Sequence, residues 1–300
     1  GHPLLFVRPN FFRSHNQTVV DHLEELESTS QISDHFKKEA IDVDSLKIGM
    51  ELDSLPASYF LYYKKILKGA ETINVEPALR KLRMIKDPHE IELLRDAAMV
   101  AQRTQEVIPE ILEPGIAENE IAAEVMRVAI RNKSVHFNNI NSAYGRNWFI
   151  LTSGEDLWIP SSFPILSGGG FSKAVPIGYS DRRLREGDIV MCDFGVLVNG
   201  YHADHARTFY VKSPPDRFKE RYLSLKNIYL NATEEYLRDG IPVRKIYEVM
   251  HEALKKEGLG NYFQGDGHYY QGLGHGIGLE LDEPPFVVPK TDEIFKENMV

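Results

Sequence analysis

Two aspartates lie eleven positions apart in residues 187–211 (GDIVMCDFGVLVNGYHADHARTFYV). Apolar residues flank Asn199–Gly200, a dipeptide that strongly favours a two-residue hairpin turn. Such a turn pairs Gly195 with Asp204 and places Asp193 diagonally on the same face, about 7–8 Å away. Carboxylates that converge in this way suit shared divalent cations. The alternative is a solvated face or a pair with a nearby arginine, but the apolar neighbours indicate burial, and buried carboxylates need cations or several donors.

A histidine among four glycines is the second feature, in residues 272–280 (GLGHGIGLE). Glycines allow close backbone approach. A phosphate-binding loop is the competing interpretation, but no helix start or suitably spaced acidic residue follows it. A lone histidine is usually structural, and this one gains weight from the two aspartates. We therefore predict that Asp193, Asp204 and His275 are three ligands of a divalent-metal site.

Composition narrows the range of functions. The formal net charge is −9, with no dense basic cluster, which argues against nucleic acid or an anionic membrane as partner. The lone Cys192 excludes a disulfide framework and fits a reducing cytoplasm. No apolar run reaches the roughly 18 residues of a membrane span. We expect a cytoplasmic protein of about two domains.

The elements that must position these residues follow from local signals. Asp87, Pro88 and Glu90 form a strong helix start with a capping box. The pattern LEPGI at residues 112–116 returns as LRDGI at residues 237–241, and each copy precedes an amphipathic helix. This repeated pattern predicts a duplicated α/β unit, so that the larger domain consists of two related halves. We place a partial α/β domain at residues 1–80, and a catalytic-type domain, truncated before its last strands, at residues 81–300.

Taken together, these segments resemble the creatinase and Xaa-Pro peptidase family (prolidase, aminopeptidase P), which has the pita-bread fold. The resemblance runs from about residue 80 to residue 300, and its carriers are GDIV at 187–190, DFG at 193–195, GY at 200–201 followed by Asp204, RTF at 207–209 and GHGIGL at 274–279. Residues 1–80 resemble the end of that family's N-terminal domain. The fold class it implies is α+β, a pita-bread fold of two related halves preceded by a partial α/β domain.

The resemblance also implies a metal-dependent hydrolase. Members of that family bind two divalent ions, commonly Mn, Co or Zn, through Asp, Asp, His, Glu and Glu. Asp193, Asp204 and His275 match the first three, and the two glutamates are expected beyond Val300. The implied reaction is cleavage of short Xaa-Pro peptides by a metal-bridging hydroxide, and a homodimer is implied as well. With three of five ligands, we expect little activity from these 300 residues alone.

Two departures from the family pattern matter. Residues 174–180 (AVPIGYS) lack the histidine that the peptidases carry there, and Asp282 stands where they have a second histidine. Loss of one preorganised oxyanion donor typically lowers the rate by about 10²–10³. Asp282 could serve as a general base or bind a cationic group, and His268 is the other candidate catalytic residue, with His136 and His202 as weaker substitutes. Trp158, Phe163 and Tyr201 are predicted to line the substrate pocket, although packing is an equally good account of the first two.

These departures keep three functions open. The first is a metallo-exopeptidase of the Xaa-Pro dipeptidase type. The second is a family member of different chemistry, an amidohydrolase or lyase acting on a small non-peptide molecule. The third is an inactive homologue that serves as a binding module.

Overall fold

The computed structural model describes residues 2–135, 149–159, 168–174, 176–267 and 272–300. The chain divides into two compact units, Gly1–Ala78 and Leu79–Val300. None of the described helices is long and apolar enough to cross a bilayer.

The N-terminal unit is a small α/β structure. Its elements are β1 (Leu4–Val7), α1 (Phe11–Gln17), β2 (His22–Glu25), α2 (Ser30–Lys38), β3 (Lys47–Met50), α3 (Ala57–Ile66) and β4 (Glu71–Asn74). Strands β1 and β2 pair in parallel, as do β3 and β4. A helix connects the strands of each pair, as parallel neighbours require. The unit thus has the α/β character predicted for the N-terminal domain.

The larger unit carries the remaining elements, of which the first helix begins within the N-terminal unit. They are α4 (Glu76–Arg83), α5 (Pro88–Glu106), α6 (Ile108–Ile111), α7 (Glu118–Arg131), β5 (Phe149–Ser153), β6 (Ile189–Val198), β7 (Tyr201–Tyr210), α8 (Asp216–Tyr236), α9 (Arg244–Lys256), β8 (His275–Gly276) and β9 (Glu283–Phe286). The start of α5 is as predicted. The Asp87 carboxylate accepts a hydrogen bond from the Glu90 backbone N–H, and the Glu90 carboxylate accepts one from the Asp87 N–H, both at 2.8 Å.

The acidic hairpin has the predicted register. Asn199 and Gly200 form its turn with φ of 51° and 89°, the positive values that a tight hairpin turn needs. Val198 pairs with Tyr201, and Gly195 pairs with Asp204. Strand β5 lies antiparallel on the other side of β6, which makes a three-stranded sheet in the order β5-β6-β7.

Two hydrophobic clusters stabilise this unit. The first packs α5 and α7 on the three-stranded sheet, and its fully buried members include Ala97, Ile121, Val125 and Phe194. Helix α7 contributes the spacing of a single apolar helix face. The second cluster joins α8 and α9 and includes Ala232, Val243, Ile246, Met250 and Phe295. Each helix pair thus has its own core, in agreement with the predicted duplication.

Candidate metal centre

The hairpin and the glycine-rich segment approach closely because Gly195 has no side chain. A Cβ added at Gly195 would lie 2.8 Å from Leu281 Cδ1. Leu281 is buried against β6 as a result. Since Gly195 is the register partner of Asp204, this contact brings the residues around Leu281 beside the Asp204 carboxylate.

His202 makes a second connection between the same segments. Its backbone N–H and its ring Nδ1–H both donate to the Gly278 carbonyl, at 2.9 and 3.2 Å. Burial lowers the pKa of His202, and that effect outweighs the nearby Gly278 carbonyl and carboxylates, which favour the charged ring. His202 therefore ties the glycine-rich segment to strand β7 at a position two residues before Asp204. His202 therefore has a structural role here.

His275 faces two carboxylates. Its Nδ1–H donates to the Gly276 carbonyl at 3.0 Å. Its Nε2 lies 3.4 Å from Asp204 Oδ2 and 3.0 Å from Asp282 Oδ1. One ligand atom from each of these three residues lies within 4.8 Å of the others, and among the described residues they form the group that could hold a metal ion. We call Asp204, His275 and Asp282 the acidic centre.

The acidic centre favours positive charge. Burial alone would lower the pKa of His275, but hydrogen bonds to Asp204 and Asp282 outweigh it and raise that pKa to about 10. The two carboxylates thus favour a positive charge beside His275 Nε2. One imidazole and two carboxylates are also a donor set that divalent transition metals accept, so the residues present fit such an ion.

Asp193, the other predicted ligand, is buried on β6 with 8% of its surface exposed. It pairs with Ala206 and therefore shares the face of Asp204, as predicted. It is not a member of the three-residue group. Its role as a ligand stays a prediction.

A network of arginines holds the segment that carries Asp282. Arg83 lies 3.1 Å from both Glu280 and Glu283, and Arg80 lies 3.5 Å from Glu280. Arg83 and Glu283 are within ion-pair distance, but their atoms are not aligned for a hydrogen bond. In the sequence, these arginines stand out only by their position beside the domain boundary predicted near residue 80. The spacing of Arg80 and Arg83 on one helix face was the available signal, but nothing local identifies partners about 200 positions away.

Lys86 lies at the edge of this network. It is 2% exposed, and within the described part of the chain its Nζ has no hydrogen-bond partner. Burial lowers its pKa, while Glu283 and Glu90 act in the opposite direction and offset part of the effect. Its charge is stabilised by nearby carboxylates without a direct contact.

Another carboxylate group, the Glu118 cluster, comprises the buried Glu118, Ser153 and Ser180 and the partly buried Arg182 and Asp188. Glu118 accepts from Ser153 Oγ at 2.7 Å, from the Ser180 N–H at 2.9 Å and from Ser180 Oγ at 2.8 Å. Arg182 donates to Asp188 at 2.7 and 3.1 Å and to Ser153 Oγ at 2.7 Å. Burial alone would raise the pKa of Asp188, but the contacts with Arg182 and the Arg185 N–H outweigh burial, so the pKa lies below its ordinary value. The cluster was not predicted, and it anchors the segment that ends at Ser180.

The remaining predicted site residues differ in their surroundings. The Tyr201 hydroxyl donates to Glu90 Oε1 at 2.8 Å, and burial together with Glu90 raises its pKa to about 12. Trp158 is 82% exposed. Both stay predictions as pocket residues. Three others, His268, Phe163 and His136, lie outside the described residues.

Comparison with family models matches both parts of the chain. Residues 92–300 match the metallopeptidase family M24, and residues 1–85 match the creatinase/prolidase N-terminal domain. The first match covers Asp193 and the whole acidic centre.

Individual relatives agree with these matches. The probable dipeptidase PepE of Mycobacterium tuberculosis is 30% identical over 248 residues, which are 82% of this chain and 58% of PepE. The Xaa-Pro dipeptidase of Pyrococcus horikoshii is 28% identical over 268 residues, 89% of this chain and 67% of that protein. The solved Xaa-Pro dipeptidase from Bacillus anthracis superposes with a TM-score of 0.77 at 26% identity, over 99% of this chain and 74% of that one.

The chain thus spans about 58% of the length of the PepE relative. The superposition confirms the predicted fold class, a pita-bread fold preceded by an α/β domain. The match to a metallopeptidase family also implies the use of a divalent metal, and the donor set of the acidic centre is compatible with such an ion. Because the family model covers more than half of the sequence, the chain belongs to metallopeptidase family M24.

Proposed function

We propose that the native protein is a metal-dependent dipeptidase that cleaves Xaa-Pro bonds in short peptides. The observation that carries the proposal is the convergence of Asp204 and His275, 3.4 Å apart, within the region that matches the metallopeptidase family. The names of the relatives support the substrate class, because they include an Xaa-Pro dipeptidase and a probable dipeptidase. None of these names favours a non-peptide substrate.

Asp193, Asp204 and His275 would hold the metal, which we propose to be two ions of Mn, Co or Zn. When bound, such ions lower the pKa of a water molecule and polarise the scissile carbonyl. His275 is oriented for this role because its Nδ1–H is engaged by the Gly276 carbonyl, which leaves Nε2 toward the carboxylates.

The chain's own residues also limit the rate. Ile177 is a half-buried aliphatic residue in the segment where a donor was expected, and it cannot donate a hydrogen bond. Asp282 is an acceptor when ionised. Turnover should therefore be about 10²–10³ below that of a site with a preorganised donor. The predicted pocket residues Trp158, Phe163 and Tyr201 would contact the peptide.

We further propose a cytoplasmic homodimer. The buried, unpaired Cys192 supports a reducing compartment. Sedimentation of the native protein tests the dimer, and a monomer at micromolar concentration would contradict it.

The test of function is a dipeptide panel with added Mn²⁺, Co²⁺ or Zn²⁺. Xaa-Pro dipeptides should be hydrolysed, the matched Xaa-Ala dipeptides should be hydrolysed more slowly, and a chelator should abolish both activities. An Asp204→Asn variant serves as the control for contaminating peptidases. If the native protein hydrolyses no Xaa-Pro dipeptide with any of the three metals, the proposal fails.

A further inference from the structure

We propose that Asp282 is a metal ligand, so that Asp204, His275 and Asp282 form a three-ligand site within this chain. The inference rests on the proposed metal dependence. It gives Asp282 a different role from the general base or cation-binding group expected from the sequence.

The distances within the acidic centre are those of atoms that share one ion. Carboxylate and imidazole ligands lie about 2.0–2.2 Å from zinc, so two of them at tetrahedral or right angles are about 3.0–3.5 Å apart. His275 Nε2 lies 3.4 Å from Asp204 Oδ2 and 3.0 Å from Asp282 Oδ1. The Asp282 carboxylate therefore has the same relation to His275 as Asp204 has.

An independent contact selects Nε2 as the ligand atom. The other ring nitrogen of His275 donates to the Gly276 carbonyl at 3.0 Å. Metal-bound histidines typically make this kind of second bond, which fixes the ring orientation and the tautomer. The ring is therefore oriented with Nε2 toward both carboxylates.

The backbone around Asp282 is fixed, although its side chain is 42% exposed. On one side, Leu281 is buried in the space left by Gly195. On the other side, Glu283 is buried and lies 3.1 Å from Arg83. A Cβ at Gly278 would overlap the Glu283 carboxylate, so that glycine is required for the approach. These contacts hold Asp282 beside His275 without engaging its carboxylate.

The charges nearby do not replace an ion. Arg83 and Arg80 contact Glu280 and Glu283. In the described part of the chain, the cationic group within ion-pair distance of Asp282 is His275 itself. Two carboxylates thus share one imidazole nitrogen, and a divalent cation satisfies both.

The experiment is a cobalt(II) titration of the full chain, followed by its visible absorption and by calorimetry. Asp282→Asn should weaken cobalt binding by more than about 100-fold, beyond the roughly 10–100-fold that loss of an outer-shell partner costs, and should alter the absorption bands. Asp282→His should restore binding, with bands shifted by the exchange of oxygen for nitrogen. Asp292→Asn removes the same charge from a fully exposed position and should bind cobalt like the wild type. Circular dichroism verifies that each variant is folded.

Equal cobalt affinity and equal spectra in the wild type and Asp282→Asn would overturn the inference. So would an Asp292→Asn variant that weakens binding as much as Asp282→Asn, since the effect would then be general charge. The titration uses no peptide, so its outcome is separate from the proposed function. Cobalt binding through Asp282 without any Xaa-Pro hydrolysis would reject the function and support the ligand, whereas hydrolysis with unchanged cobalt binding in Asp282→Asn would do the reverse.

Discussion

The Glu118 cluster and the acidic centre each contain two carboxylates, but they satisfy them differently, and they differ in exposure: Glu118 is 1% exposed, whereas the Asp282 side chain is 42% exposed. Glu118 receives three hydrogen bonds from two serines, and Asp188 is paired with Arg182. In the acidic centre, Asp204 and Asp282 share one ring nitrogen of His275. The first arrangement is complete within the protein, whereas the second has more acceptors than donors. A complete network stabilises the fold, and an incomplete one is suited to a ligand that supplies charge.

The largest expected effect is on stability, from loss of the Glu118 carboxylate. Glu118→Ala leaves the buried donors of Ser153 and Ser180 without their acceptor, at a cost of about 1–3 kcal/mol for each unsatisfied group, and should lower the free energy of unfolding by about 2–5 kcal/mol. Urea denaturation measures it. Glu124→Ala, on an exposed face of the same helix, is the matched control and should be close to wild type. A Glu118 variant as stable as that control would show that the cluster is not structural.

The next largest effect is expected in the acidic centre, on its affinity for metal. Asp204→Asn keeps the size of the side chain but removes a ligand charge, so cobalt binding should weaken by at least about a hundredfold. Glu118→Gln should leave binding nearly unchanged, because its cluster makes no contact with the acidic centre in the described residues. Isothermal titration measures both. Equal losses in the two variants would erase the distinction between the regions.

A smaller effect concerns the arginine network, which belongs to neither region but positions Asp282. Arg83 and Glu283 should show a coupling free energy of about 0.5–3 kcal/mol in a double-mutant cycle with Arg83→Met and Glu283→Gln. The exposed pair Arg127 and Glu124 provides a control cycle, in which water screens the interaction. Coupling no larger than in that control would remove the argument that the segment is fixed electrostatically.

The smallest effect is a pH dependence from Lys86. Burial lowers its folded-state pKa, so below the ordinary lysine pKa of about 10.4 the unfolded chain binds more protons than the folded one. Stability gained from Lys86 therefore rises with pH through that window. The unfolding free energy of wild type minus that of Lys86→Met should therefore increase as the pH rises toward about 10.4. A difference that is flat or falls with pH would contradict the assigned direction.

Local signals predicted the parts of the structure that local chemistry determines. Asn199–Gly200 gave the hairpin register and hence the shared face of Asp193 and Asp204, because side chains alternate strictly along strands. Asp87, Pro88 and Glu90 gave the helix start because the capping box is made within four residues.

The contacts that join distant segments could not be predicted in the same way. The approach of Asp282 to His275 depends on the packing of Leu281 against Gly195 and on the fit of Glu283 beside Gly278. Likewise, Arg83 and Glu280 are 197 positions apart, and Glu118 and Ser153 are 35 positions apart. No periodicity within one segment records such pairings, so Asp282 was predicted as a catalytic group without its proximity to His275.

The most direct test of the account is the metal content of the native protein, measured by mass spectrometry after gel filtration without added metal. We predict bound divalent metal in the wild type and its loss in His275→Ala, with Glu118→Gln retaining the wild-type content. Equal metal content in the wild type and His275→Ala, or none in either after incubation with Mn²⁺, Co²⁺ and Zn²⁺, would contradict a metal centre at His275.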